Sequence, residues 1–269
     1  MIDSITFLWN TFLYVPILNS LIFFYHLLGE NLGAAIIAIT VVIKVSTYPL
    51  TKPSIEAAKK QRLLQPEINK LKKKYKDKQA LAKKQMELYK QHGINPASGC
   101  LPQIIQFIVV IALYRVFINL LNSNGLIATE INNLLYDFEY LKFSGDAALN
   151  TGFSYLNLAK SDPYYILPVL AAAAQLFMSR YMTRSTKILD KPVKDTPDKK
   201  DDFMQDMQKS MVYTMPAITL IVGASLPSGL VLYWFVSTLF ALAQYVLIYR
   251  SNNKKSESNN KNGQRGSKE

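Results

Sequence analysis

Apolar runs of roughly 16 to 21 residues, nearly free of charge, alternate along this chain with connectors dense in lysine. About 20 apolar residues are what an α-helix needs to cross a hydrocarbon layer of about 30 Å, so the pattern points to a polytopic membrane protein and away from a soluble globule. The runs cover residues 32–50, 101–121, 164–182, 211–226 and 229–248. Only Pro227 and Ser228 separate the last two, so these must be antiparallel neighbours. A further run, residues 5–28, is broken by Asn10, Pro16, Asn19 and His26 and is dense in aromatics (Phe7, Trp9, Phe12, Tyr14, Phe23, Phe24, Tyr25). Aromatics at that density favour the headgroup layer, so this run is expected to lie at the interface, with a true span as the alternative. Residues 1–30 contain no Lys or Arg, which excludes the basic start of a signal peptide.

The formal net charge is +12. Lys and Arg number 0 in residues 1–31, 13 in 51–100, 2 in 122–163, 7 in 183–210, 0 in 227–228 and 6 in 249–269. Basic residues in short loops are retained on the cytoplasmic side, so the alternation implies five spans with the N-terminus outside and the C-terminus in the cytoplasm. The surplus charge then faces anionic lipid or ribosomal RNA at the membrane, and not DNA.

The connector 51–100 has a structure of its own. Helical sequence continues to Leu64, and Gln65-Pro66-Glu67 restarts a helix, because proline suits a first turn and Glu67 suits its dipole. Ile68, Leu71 and Tyr75 form one apolar stripe. Leu81, Met86, Leu88 and Tyr89 form a second, on a helix that ends at His92-Gly93. Two such helices are expected to make an antiparallel hairpin. The chain therefore divides into an outer interfacial helix (1–30), spans at 31–50, 101–122, 163–182, 210–226 and 228–249, a cytoplasmic helical hairpin (51–100), an outer loop (123–162), a cytoplasmic loop (183–209) and a basic tail (250–269) whose Asn, Lys, Ser and Gly content implies disorder.

Lys44 is a charge deep in an apolar run, twelve residues beyond Leu32 and so at about 18 Å of rise. A lysine at that depth costs on the order of 2.5–3.5 kcal/mol, and normally faces a water-filled cavity or a counter-charge. No Asp or Glu stands in the apolar cores of the five runs. What they offer is neutral: Thr40 and Ser46, Gln103 and Gln106, Gln175, Thr214 and Thr219, and Tyr233, Trp234, Ser237, Thr238 and Gln244. Two readings stay open for Lys44: a hydrated cavity, or snorkelling to the interface past Pro49. Arg115, near the outer end of its run, is expected to snorkel outward. The run 211–226 offers about 24 Å of rise, short of the bilayer, and a short span thins the membrane locally.

Catalytic and metal chemistry find no support in the pattern. Cys100 is a single cysteine, and His26 and His92 alone cannot make a metal site. An intramembrane enzyme would need paired aspartates, a serine and histidine, or a zinc motif within the runs. No cofactor is expected.

Five segments in order carry a resemblance: TVVIKVSTYPLTK (40–52), LLQPEINKLKKKYKDK (63–78), MELYKQHGINPASGCLPQIIQ (86–106), DPYYILPVL (162–170) and LPSGLVLYW (226–234). With these, over residues 12–249, the chain resembles the YidC-type membrane protein insertases, relatives of the mitochondrial and thylakoid insertases. The resemblance implies an all-α core of five transmembrane helices around a groove open to the cytoplasm and to lipid but closed outside, without nucleotide hydrolysis. It also implies an interfacial N-terminal helix, a cytoplasmic helical hairpin, and a location in the bacterial cell membrane. The family's groove cation is usually arginine, five residues before the proline of a YPL-like motif; Lys44 stands five before Pro49. Lysine lacks the planar donor fork of arginine. The implied groove neighbours are Thr40, Gln106, Val110, Gln175, Val222 and Trp234. Phe107-Ile108 replaces the family's methionine-proline, and Ser98-Gly99 its glycine pair.

The function this implies is acceptance of hydrophobic segments of nascent membrane proteins and their lateral release into lipid. Implied partners are nascent membrane proteins, the ribosome, anionic lipids and, as an open question, the Sec translocon. The alternative class is a small-solute transporter or channel, for which broken helices and inverted repeats are the expected signs. The topology has a direct check. With Cys100 replaced by serine, an impermeant thiol reagent added outside should label a cysteine at Asn150 and not one at Lys84 or Lys261; outside labelling at Lys84 would reverse the assignment.

Overall fold

The computed structural model describes residues 2–75, 77–95, 101–122, 131–143, 149–184 and 201–265, most of them helical. Helix α1 (Ile2–Trp9) passes through one π-helical turn (Asn10–Tyr14) into α2 (Val15–Leu27). Then come α3 (Leu32–Ser46), α4 (Tyr48–Leu63), α5 (Gln65–Lys74), α6 (Lys78–Gln91), α7 (Leu101–Asn122), α8 (Ile166–Arg184), α9 (Asp201–Ser225) and α10 (Ser228–Arg265). Between α7 and α8 lie a 3-10 turn (Glu139–Leu141) and a two-residue antiparallel pair, β1 (Gly152–Phe153) and β2 (Leu156–Asn157).

Local chemistry explains the breaks. Gly29 (φ 71°) and Glu30 (φ 58°) turn the chain through the left-handed region after α2, and Asn31 caps α3 by accepting from the Ala34 amide at 2.9 Å. Pro49 has no amide hydrogen for the Val45 carbonyl, so α3 cannot run through it, yet it sits well in the first turn of a new helix. The chain accordingly breaks at Thr47, whose hydroxyl donates to the Ile43 carbonyl at 2.8 Å, and bends by 66°. The run read as one span over 31–50 is thus a helix of 15 residues, about 22 Å of rise, followed by the start of α4.

Two described helices, Thr6–Leu27 and Ser228–Ile248, are long and apolar enough to cross a membrane, and the bent α3–α4 pair makes a third if counted as one span. Ile104–Ile118, Ile166–Met182 and Val212–Ser225 are shorter apolar helices. The N-terminal helix, expected at the interface, therefore meets the length and composition of a span, because Pro16 falls where it leaves no break. Helix α9 starts at Asp201, ahead of the expected 210. Helix α10 continues to Arg265, through a tail expected to be disordered; no proline follows Pro227, and extending a formed helix costs far less than starting one. Cys100 and residues 185–200 of the expected cytoplasmic loop lie outside the described residues.

The core is polarised. It gathers Leu18, Ile22 and Tyr25 of α2, the first half of α3 (Leu32, Ile36, Ile39), the second half of α7 (Leu113, Phe117) and the first turns of α8 and α10 (Leu167, Leu230). Leu135, Leu141, Phe143, Leu156 and Leu158 of the α7–α8 connection cover it. In lipid, close packing rather than escape from water holds helices together, and small residues permit it. Gly33 lies against the Phe153 ring, and Gly229 against Phe117 and the Leu158 carbonyl. Buried polar groups tie the connection down. Asn19 donates to the Leu134 carbonyl at 3.1 Å and accepts from the Tyr136 amide at 2.7 Å. Asp162 accepts from the Leu167 and Tyr164 amides at 2.7 and 3.0 Å and from the Tyr155 hydroxyl at 3.2 Å. The α9–α10 turn docks on the same region, where the Ser228 hydroxyl donates to the Lys160 carbonyl at 2.7 Å.

At the opposite end α4 packs on α7 and α10, and α5 packs on α6. Leu64, Ile68 and Ile94 are buried there, with Leu88 and Tyr89 against them. Of the two expected stripes, Leu71, Tyr75 and Leu81 are half-buried and Met86 is exposed. Asp77 caps α6 by accepting from the Ala80 amide at 3.0 Å. Lys84 and Glu87 pair at 2.7 Å on its exposed face, which raises the lysine and lowers the carboxyl from their usual ranges.

A methyl group at Gly229 would stand 2.7 Å from the Phe117 ring and 3.2 Å from the Leu158 carbonyl. Gly229→Ala should cost about 1–3 kcal/mol by overpacking, seen as a lower melting temperature in detergent, and Phe117→Leu in the same chain should recover part of it. An unchanged melting temperature would show that this contact yields freely.

Candidate functional site

Where the apolar core ends, a cavity of about 190 Å³ opens between α3, α4, α7, α8 and α10. Lys44 stands in the last turn of α3, where the helix dipole favours a cation, and its half-buried side chain turns into this cavity. Its ammonium donates to Gln106 Oε1 on α7 at 2.8 Å. Gln106 also accepts from the Ser237 hydroxyl at 3.1 Å and donates through Nε2 to the Tyr233 hydroxyl at 2.9 Å, both on α10. The Gln244 amide, two turns further along α10, donates to the Lys44 carbonyl at 3.3 Å. Three helices are thus joined through one cation and four neutral side chains.

The polar part of the wall is completed by Thr47, Thr51 and Ser54, and the apolar part includes Ile43, Ile105, Val109, Met178, Met182 and Ala241. Among the described residues, the lining contains no carboxylate. Among the described residues no group of three or more His, Cys, Asp or Glu is placed to hold a metal ion. Such a wall can hydrogen-bond a peptide, attract a negative charge and accept an apolar side chain.

Of the residues singled out from sequence, Lys44 and Gln106 meet directly. Thr40 is buried one turn before Lys44, and its hydroxyl turns back to the Ile36 carbonyl at 2.5 Å. Val110 lies one turn beyond Gln106, Gln175 one turn before Met178, and Trp234 beside Tyr233; none of the three lines the cavity. Val222 is 40% exposed on α9, a helix that packs on α8, and stands apart from the cavity. Arg115 is exposed and stacks over the Trp9 ring at 5.9 Å.

The contribution of α4 went unread in the sequence. Its signal is a spacing: Lys44, Thr47, Thr51, Ser54 and Ala58 follow in steps of three and four, a helical stripe that persists across Pro49. On α10 the corresponding stripe is Tyr233, Ser237, Ala241 and Gln244.

These features define a class: helical membrane proteins with an apolar closed end and a cationic, polar-walled cavity at the other. The model of the 60Kd inner membrane protein family matches residues 23–256, and the chain belongs to that family. Similar curated relatives are named membrane protein insertase YidC. That of Pasteurella multocida is 32% identical over 94% of this chain and 39% of its own length. That of Geobacter sulfurreducens is 33% identical over 90% and 38%, and that of Psychromonas ingrahamii 35% over 92% and 37%. The chain therefore spans about two fifths of the length of the curated relatives it matches. A crystal structure of an active YidC insertase with its first transmembrane domain resolved superposes with a TM-score of 0.53 at 26% identity, covering 86% of this chain and 45% of that one.

Proposed function

We propose that this protein inserts hydrophobic segments of nascent membrane proteins into a bacterial membrane, using the Lys44 cavity as the first polar station for the part of the client that must cross. The observation that carries this reading is a cation met by a neutral amide in a cavity whose described lining holds no carboxylate. Such a charge remains free to attract a negative one. A client with an acidic outer tail is drawn toward Lys44, its polar backbone is solvated by Thr47, Thr51, Ser54 and Gln244, and its apolar segment leaves sideways into lipid. Transfer of the apolar segment supplies the driving force, and the membrane potential adds about 2.3 kcal/mol per acidic charge per 100 mV. No bond is made or broken.

In this reading the chain has five spans, with the closed apolar end outside and the cavity and C-terminus on the cytoplasmic side. Helices α5 and α6 form a cytoplasmic hairpin whose lysines meet anionic headgroups or the ribosome bringing the client, with the Sec translocon as a further partner. Thr40, Val110, Gln175, Val222 and Trp234 line the path of the client beyond the cavity itself. The names of the relatives favour insertion over solute transport. So does the arrangement of the core, which closes one end with packed side chains.

The test turns on the charge of Lys44. In proteoliposomes, Lys44→Arg should keep the protection of an acidic-tailed client from protease, while Lys44→Ala should lose it and neutral-tailed clients should suffer less. The alanine variant should fold and even gain up to about 2–3 kcal/mol, since a mid-membrane cation is costly. Equal insertion of both clients by Lys44→Ala and wild type would remove Lys44 from the mechanism.

A further inference from the structure

The hydrogen bonds around Gln106 engage both ends of its amide. A lysine ammonium has three N–H donors and no acceptor, so the Gln106 atom at 2.8 Å from it must be the oxygen, and that contact fixes which way the amide points. Ser237 donates to the same oxygen at 3.1 Å, and the amide nitrogen donates to Tyr233 at 2.9 Å. Tyr233 and Ser237 are buried on successive turns of α10. The amide cannot swing away from Lys44 without losing both, so the pairing is held by the packed helix. An amide oxygen accepts much as a carboxylate oxygen does, yet it leaves the cavity with its net positive charge. Position 106 is therefore where the fold already offers Lys44 the geometry of a carboxylate without the charge of one.

We propose that Gln106 is the positioning residue that sets the preference of this site for acidic clients. It holds the Lys44 ammonium inside the cavity through one donor and, being neutral, leaves the charge and the other two donors for a carboxylate of the client. This rests on the insertase reading above and deepens it by placing selectivity in the neutrality of position 106 as well as in the charge of Lys44. A glutamate there has the same shape but would take the ammonium in a charge-assisted bond, and an arriving carboxylate would meet a neutral pair with a like charge beside it.

The experiment uses the whole chain in proteoliposomes and two single-span clients that differ only in an acidic or a neutral outer tail. The measured quantity is the ratio of protease-protected acidic to protease-protected neutral client. Gln106→Glu should lower that ratio at least about tenfold, the change expected when one strong polar contact is lost. The exchange Lys44→Gln with Gln106→Lys puts one cation and one amide back in the cavity with their helices swapped, and should restore the preference to within about threefold of wild type. A merely structural role for Gln106 does not predict that rescue. If Gln106→Glu keeps the wild-type ratio while Lys44→Ala loses it, this inference fails and the functional reading stands. If neither variant changes the ratio, both fail. Melting temperatures in detergent show which variants are folded; should Gln106→Glu not fold, a folded exchange variant without acidic preference overturns the inference by itself.

Discussion

The bond from the Lys44 ammonium to the Gln106 amide oxygen, 2.8 Å long, is the interaction on which the character of the cavity depends. A cation among apolar helices needs a partner, and the partner chosen decides what the cavity can do. A carboxylate would have made a buried ion pair, indifferent to charge on anything that entered. A neutral amide lowers the cost of holding the lysine there while leaving its field uncancelled. The two α10 side chains that hold the amide are as much a part of the site as the lysine, since they keep the acceptor where the cation can find it.

That arrangement needs a fold with two unlike ends. At one end, glycines bring backbones and rings into contact, Asn19 and Asp162 satisfy the turning backbone, and leucines and aromatics fill the interior. At the other, the helices part around polar walls. The same helices serve both ends, because α3 and α10 carry apolar residues in their first turns and polar ones later. A single amphipathic stripe along each helix would have produced a bundle that is either packed throughout or open throughout.

Much of this could be read in the sequence. Lys44 stood out because a charge in an apolar run has few physical explanations, and Gln106 because polar groups were needed to answer it. Family resemblance selected Thr40, Gln175 and Trp234 from the other polar residues of the runs and added Val110 and Val222, and the cavity around Lys44 includes none of the five. Those are side chains whose meeting depends on how helices rotate against one another, and periodicity within one helix says nothing of that. The role of α4 escaped for a different reason. Pro49 reads as the end of a span, whereas in three dimensions it redirects the helix by 66° and carries the polar stripe of α3 onward to Thr51 and Ser54. The length of α10 escaped because polar composition argues for disorder only when no established helix runs into it.

The bend at Thr47 makes α4 a lever whose pivot lies at the cavity. Its 16 residues extend for about 24 Å, and its far end carries α5 and α6. A swing of about 10° around the pivot would carry that far end through about 4 Å but move Ser54, some 10 Å along, by less than about 2 Å. By geometry alone, any displacement of α5 and α6 that turned α4 about this bend would reach the cavity wall reduced by more than half.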